Sequence, residues 1–205
     1  MIEEFESRNA ASEYVADLLS ARLRKKLAAG RSASLVVSGG KSPIECLNIL
    51  SDISLDWSRV IVTLTDERIV PSGHLESNER LVRENLFTGN ACVAQFVPLV
   101  EGDLQALMPF TCTLVGMGED GHFASIFPDS EQLQQALTSA SEIIKVETPS
   151  SPYERVSMTL NTINQSEELV LLVFGQAKRK ILNNPEGLPV EKLLQNDALK
   201  VIWAP

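Results

Sequence analysis

Positive charge, histidine, cysteine and long apolar runs are all scarce in this chain. Lys and Arg number 18 against 27 Asp and Glu, a formal net charge of −9. Gripping a phosphate backbone or an anionic membrane needs a clustered basic surface. Nucleic acid and membranes are therefore not expected partners, whereas a small anion stays open if a few cations converge. There are two histidines, His74 and His122, and no C-x-x-C, so a structural zinc site is not expected and the metal set is empty. The three cysteines, Cys46, Cys92 and Cys112, are widely spaced in apolar contexts and read as buried thiols of a reducing cytosol. The longest apolar run, Leu169 to Phe174, has six residues, against the ~20 that a membrane helix needs. The first residues, M-I-E-E-F-E-S, are acidic and do not read as a signal or transit peptide. The expected location is the cytoplasm.

What is present is ordinary for a globular protein: 205 residues, 44% apolar and 22% charged. That length predicts a single domain over residues 1–205, with a core large enough to need no staple. Ala10, Val15, Leu18, Leu19, Leu23 and Leu27 recur at helical spacing, with Asn9 as a cap and Gly30 as a stop. Short β-rich runs follow at Ser34–Val37, Val60–Leu64, Phe96–Leu99, Thr111–Val115, Ile143–Val146, Arg155–Leu160, Glu168–Phe174 and Leu199–Trp203. Helices are expected after Pro43, over Ser77–Phe87 and after Gly175. Strands apolar on both faces, alternating with helices, predict an α/β fold. It would have a mostly parallel central sheet and helices on both faces. Ligands in such folds sit beyond the carboxyl ends of the strands, so the loops there are where chemistry is sought.

Four such loops are unusual. In Ser38-Gly39-Gly40-Lys41-Ser42-Pro43 two glycines allow close backbone approach, and the following helix offers free N–H groups to a phosphate. A Gly-Gly turn with a first-turn proline is also common in plain strand-to-helix turns. Thr65-Asp66-Glu67-Arg68 reads as a polar loop in which Arg68 can grip phosphate and Asp66 can orient a hydroxyl. Taken alone it reads rather as a solvated charge run with local ion pairs. Residues 116–128 set Asp120 and His122 among three glycines. Histidine, with an unperturbed pKa of ~6.5, is the natural general base near neutrality, and a carboxylate two residues away can orient its ring. His74 lacks such a setting and reads as a surface residue. Finally, Lys178 falls in the first turn of a helix, where a cation opposes the helix dipole. An anionic ligand near Lys178 and Arg155 would account for it; a solvated basic face, Lys178 to Lys180, is the bland alternative.

Together these segments resemble the 6-phosphogluconolactonases, of the glucosamine-6-phosphate isomerase/deaminase-like superfamily. The resemblance rests on S-G-G-K-S-P at 38–43, D-E-R-I-V-P at 66–71 and S-N at 77–78. It continues with G-M-G-E-D-G-H-F-A-S-I-F-P at 116–128, R-V-S-M-T-L at 155–160 with Ile163-Asn164, and G-Q-A-K at 175–178. The long motif is the most specific, and the matches cover most of the chain. Three positions depart: Lys41 stands where the family usually has a hydroxyl, Ser157 where it often has Thr, and Asn161 where it often has Pro.

The resemblance implies a Rossmann-like fold, no cofactor, and hydrolysis of 6-phospho-glucono-1,5-lactone in the oxidative pentose phosphate pathway. His122 would activate water and Asp120 would support it. Gly39, Gly40, Ser42, Arg68 and Lys178 would bind the phosphate, with Arg155 close by, and Asp66 would line the sugar site. The partner is a small phosphosugar lactone, and the oligomeric state, monomer or homodimer, stays open. A deaminase of the same fold is the nearest alternative, but its motif resembles D-G-H-I-A-F-N-E-P with an acid before the proline, where Phe127 stands here. A sugar-phosphate sensor would need the phosphate groups but no base.

Overall fold

The computed structural model describes all 205 residues, Met1–Pro205. The chain opens with β1 (Ile2–Glu4) and the long helix α1 (Arg8–Ala28), then β2 (Ala33–Val37), α2 (Ile44–Asp52) and β3 (Val60–Leu64). Next come β4 (Asp66–Arg68), α3 (Asn78–Asn85), β5 (Gln95–Phe96), β6 (Cys112–Val115) and α4 (Leu133–Thr138). The remainder is β7 (Ile143–Val146), β8 (Arg155–Met158), α5 (Leu160–Ile163), β9 (Leu169–Phe174), α6 (Gln176–Asn183), α7 (Pro189–Leu193) and β10 (Leu199–Ala204).

Seven strands form the parallel sheet expected from the sequence, in the order β1-β10-β9-β6-β2-β3-β5. Side chains alternate between its faces, and both faces are buried. Leu35, Val37, Val170, Leu172 and Ile202 join α1 and α2 in one core. Val36, Leu171, Val173, Val201 and Trp203 join the residues of the long motif and α7 in the other. From β2 the chain builds outward through β3 to β5; from β6 it builds the opposite way through β9 and β10. The order therefore reverses between β2 and β6, which opens a crevice at their carboxyl ends.

A second sheet, β4-β8-β7, is antiparallel. Thr65 is the hinge between the two: its N–H bonds to Val37 in the main sheet, and its carbonyl accepts from Met158 in the small one. This corrects the reading of Asp66–Arg68 as loop. Three polar residues carry no strand signal of their own, and pairing with β8 supplies the ladder. Smaller differences concern ends. Ser7, not Asn9, caps α1 by accepting the Ala10 N–H, and Gly30 closes the helix at φ +78°. The Arg155 strand stops at Met158 because Leu160 starts α5. Of the expected run Phe96–Leu99 only Phe96 lies in a strand, β5, which begins one residue earlier at Gln95, and β1, three residues with one apolar side chain, had no readable pattern. Cys46 and Cys112 are buried, and burial pushes the Cys46 thiol up to about 12. Cys92 is exposed, contrary to expectation.

Candidate active site

The crevice between β2 and β6 is where the glycine-rich loops meet. The Ser38 hydroxyl accepts the Gly116 N–H at 2.9 Å and ties the two loops together. Gly40 turns the chain at φ +84°, a conformation that glycine adopts freely. Gly39 is required for another reason. A Cβ on it would lie 1.9 Å from Asn78 Oδ1, so the asparagine carboxamide fills the space that a side chain would take. The N–H groups of residues 39–42 have no acceptor within the protein. With the N-terminus of α2 behind them, they offer an anion a set of free donors.

The small sheet supplies the wall opposite. Residues 66 and 68 share one face of β4, and residue 67 the other. Glu67 accepts from the Asn78 and Glu79 N–H groups at 2.8 and 2.7 Å and from the Ser77 hydroxyl at 3.0 Å. It therefore caps α3 and fixes Asn78, whose Nδ2 donates to the Asp66 carbonyl at 2.8 Å. On the other face, the buried Asp66 carboxylate accepts from Thr65 at 2.8 Å and Ser125 at 2.6 Å. Arg155 approaches the same carboxylate at 3.7 Å and donates to Ser151 at 3.1 Å. Burial lowers the Arg155 pKa, and Asp66 offsets that in part. Arg68 donates to the Glu76 carbonyl at 2.5 Å and lies 3.6 Å from its carboxylate, while its buried Nε has no partner.

Below them lies the loop after β6. Asp120 Oδ1 is 2.5 Å from His122 Nδ1 and also accepts the His122 N–H. Burial raises the Asp120 pKa, but the hydrogen bond and charge of His122 outweigh it and hold the carboxyl below the usual range. With Nδ1 engaged, Nε2 is the nitrogen left for chemistry. Gly118 makes this pair possible: a Cβ there would fall 2.2 Å from His122 Cε1 and 2.5 Å from Asp120 Oδ1. The Gly121 carbonyl is held by the Val190 N–H of α7. Phe127 lies against the imidazole with ring centroids 4.3 Å apart, and the Arg155 guanidinium sits 5.1 Å from that ring's centre. Ala124 between them takes φ +49°, a strained value for a residue with a Cβ. Lys178 comes from the first turn of α6, whose cap Gly175 stands at φ +93° with its carbonyl held by Trp203 Nε1. Burial lowers the Lys178 pKa, with Glu119 pulling the other way.

One cavity of about 310 Å³ collects these groups. It is lined by Gly39, Gly40, Ser42, Asp66, Arg68, His122, Arg155 and Lys178, all expected from the sequence, whereas Asp120 stands behind His122. Sequence reasoning gave no place in the site to Ser38, Asn78, Phe127 and Ser150, which also line it, as does Lys41, noted there as standing where the family usually has a hydroxyl. Asn78 and Lys41 lay inside quoted motifs; Ser150 had no signal. No group of three or more His, Cys, Asp or Glu is placed to hold a metal ion. His74 stacks edge-on against Tyr153 at 5.8 Å, outside the cavity. A base beside convergent cations and free N–H groups suits proton transfer on a substrate anchored by an anionic group.

A family model described as glucosamine-6-phosphate isomerases/6-phosphogluconolactonase matches residues 6–203. A 6-phosphogluconolactonase of Rhizobium meliloti (strain 1021) is 36% identical over 98% of this chain and 97% of its own length. One of Caulobacter vibrioides (strain ATCC 19089 / CIP 103742 / CB 15) is 34% identical over 99% and 97%. The crystal structure of a 6-phosphogluconolactonase from Shewanella baltica OS155 superimposes with a TM-score of 0.93 at 31% identity, covering 100% of this chain and 97% of that one.

Proposed function

The chain belongs to the glucosamine-6-phosphate isomerase/6-phosphogluconolactonase family, and from that premise we propose how its site works. It is an enzyme that hydrolyses 6-phospho-glucono-1,5-lactone to 6-phosphogluconate, a step of the pentose phosphate pathway. The observation that carries the mechanism is the oriented His122–Asp120 pair opening on the same cavity as the Gly39–Gly40 turn and the cations Arg68, Arg155 and Lys178.

The substrate phosphate lies against the free N–H groups of the turn, the Ser42 hydroxyl, Arg68 and Lys178, with Arg155 adjoining. Binding the dianion far from the reacting carbon fixes the lactone's orientation, so the carbonyl is presented to one position only. His122 Nε2 takes a proton from water as the water oxygen bonds to C1. Asp120 holds the ring in the required tautomer and offsets the charge of the imidazolium. The tetrahedral intermediate collapses with cleavage of the C1–ring oxygen bond. The imidazolium returns its proton to the departing ring oxygen, and the new carboxylic acid ionises to solvent. Asp66, held by Thr65 and Ser125, faces the sugar hydroxyls. The residue before Pro128 is Phe127, packed on the imidazole, so that position offers no acid for a deaminase-type reaction.

No helix is long and apolar enough to cross a membrane, and the reading places the enzyme in the cytoplasm with a free phosphosugar as its partner. The test is lactone opening by the purified protein. Glucose-6-phosphate dehydrogenase supplies the lactone and 6-phosphogluconate dehydrogenase reports the product. A rate well above the spontaneous one, lost in His122→Ala, supports the mechanism. A His122→Ala protein with unchanged turnover overturns the base assignment.

A further inference from the structure

Four cations line the cavity, and they are held very differently. Arg68 is anchored to Glu76, and Arg155 to Asp66 and Ser151. Lys178 is half-buried in the first turn of α6. Lys41 alone is exposed, at the tip of the turn after β2, next to Gly40, around whose Cβ position the space is open. Its side chain enters no ion pair and no hydrogen bond, so no protein group fixes it in one place.

We propose that Lys41 is a steering residue: its side-chain ammonium draws the dianionic substrate to the mouth of the site and makes no direct hydrogen bond to the bound substrate. This rests on the reading of the cavity as a phosphosugar site. A protein of net charge −9 repels a phosphate dianion at long range. The anchored cations lie inside the cavity, where the field reaching solvent is partly cancelled by Glu76 and Asp66. An unpaired ammonium on the lip acts over about one Debye length, roughly 10 Å at ordinary ionic strength, and raises the encounter rate there. A flexible, strongly hydrated lysine suits that task better than a rigid contact.

The experiment compares wild type, Lys41→Ser and Lys41→Glu at ionic strengths of about 20 and 500 mM, with melting curves to confirm folding. It reads kcat, kcat/KM and the stopped-flow association rate of 6-phosphogluconate. At low salt, Lys41→Ser should lose about three- to ten-fold in kcat/KM and in association rate, and Lys41→Glu more. The variants should converge on wild type at high salt while kcat holds. An Arg68→Ala control should keep its deficit at both salts. The proposal is overturned if Lys41→Ser matches wild type at low salt, if its deficit survives intact at high salt, or if the loss falls on kcat. Should wild type fail to open the lactone, the functional reading fails. The association rates then decide the steering role separately.

Discussion

Arg68 and Arg155 are direct partners across the antiparallel β4–β8 ladder, and both side chains line the cavity. Like charges directly opposite each other destabilise a strand pair. Asp66 lies beside Arg155 but leaves the buried Nε of Arg68 unpartnered. The pair makes physical sense with an anion between them. Hydrogen bonds to charged groups are worth roughly 1.5–3 kcal/mol. Arg68→Ala should therefore raise KM by about 10- to 100-fold and change kcat much less. Inorganic phosphate should also raise the melting temperature of wild type more than that of the variant. Equal phosphate stabilisation of both proteins would remove Arg68 from the anion site.

The proposed His122–Asp120 pair should be separable from the phosphate site through Gly118, which borders the cavity beside that pair and has no side chain of its own. Gly118→Ala would put a methyl 2.2 Å from His122 Cε1 and 2.5 Å from Asp120 Oδ1, so the two side chains must part. General-base catalysis contributes about 10²- to 10⁴-fold. kcat should fall by ~10²-fold or more in Gly118→Ala and in His122→Ala, while the Kd for 6-phosphogluconate stays within ~3-fold of wild type. A Gly118→Ala enzyme with normal kcat would show that the tight Asp120–His122 geometry is not needed for turnover.

How much of this was legible depended on whether the signal was local. β2, β6 and β9 announce themselves because strands buried on both faces are runs of Leu and Val, and glycines mark their ends. The loops at those ends carried His122, Asp120, the Gly39–Gly40 turn and Lys178. β4 did not announce itself, since D-E-R becomes a strand only by pairing with Arg155–Ser157. The Glu67 cap on α3 spans 11 residues and leaves no spacing to recognise. The apolar run around Cys92 suggested burial, but the short helical turn Gly89–Val93 buries Ala91 and turns Cys92 outward. Asn78 was visible as a motif, yet its filling of the space over Gly39 appears only when two distant loops meet.

That cap has a measurable worth. Glu67 binds the first N–H groups of α3 and the Ser77 hydroxyl, where a negative charge also favours the helix dipole. Removing it leaves several donors without a partner. Glu67→Ala should lower stability by about 1–3 kcal/mol, read as a lower urea midpoint at unchanged slope. Because α3 positions Asn78, and Arg68 reaches Asn78 Oδ1 at 3.4 Å, KM should rise as well. A destabilised variant with wild-type KM would mean that the phosphate site does not depend on the seating of α3.

The half-buried Lys178 should set an alkaline limit on phosphate binding. Burial holds its pKa below the ordinary lysine value of 10.5, with Glu119 opposing. In the proposed site the protonated form attracts the dianion and the neutral form does not, so raising the pH through the lowered pKa removes a charge from the site. The sign is fixed: affinity falls on the alkaline side, and it starts to fall at lower pH than an exposed lysine would allow. The measurement is the Kd for 6-phosphogluconate between about pH 7 and 10, a range in which its phosphate stays dianionic. Binding the stable product avoids spontaneous opening of the lactone in base. Wild type should weaken progressively across the upper part of that range. Lys178→Arg should hold its affinity, because guanidinium keeps its charge throughout. Lys178→Ala should bind weakly at every pH, with the alkaline limb gone. A wild-type limb that starts no earlier than an exposed lysine would allow would count against a buried ammonium at the phosphate site. A limb that persists in Lys178→Arg would assign the titration to another group.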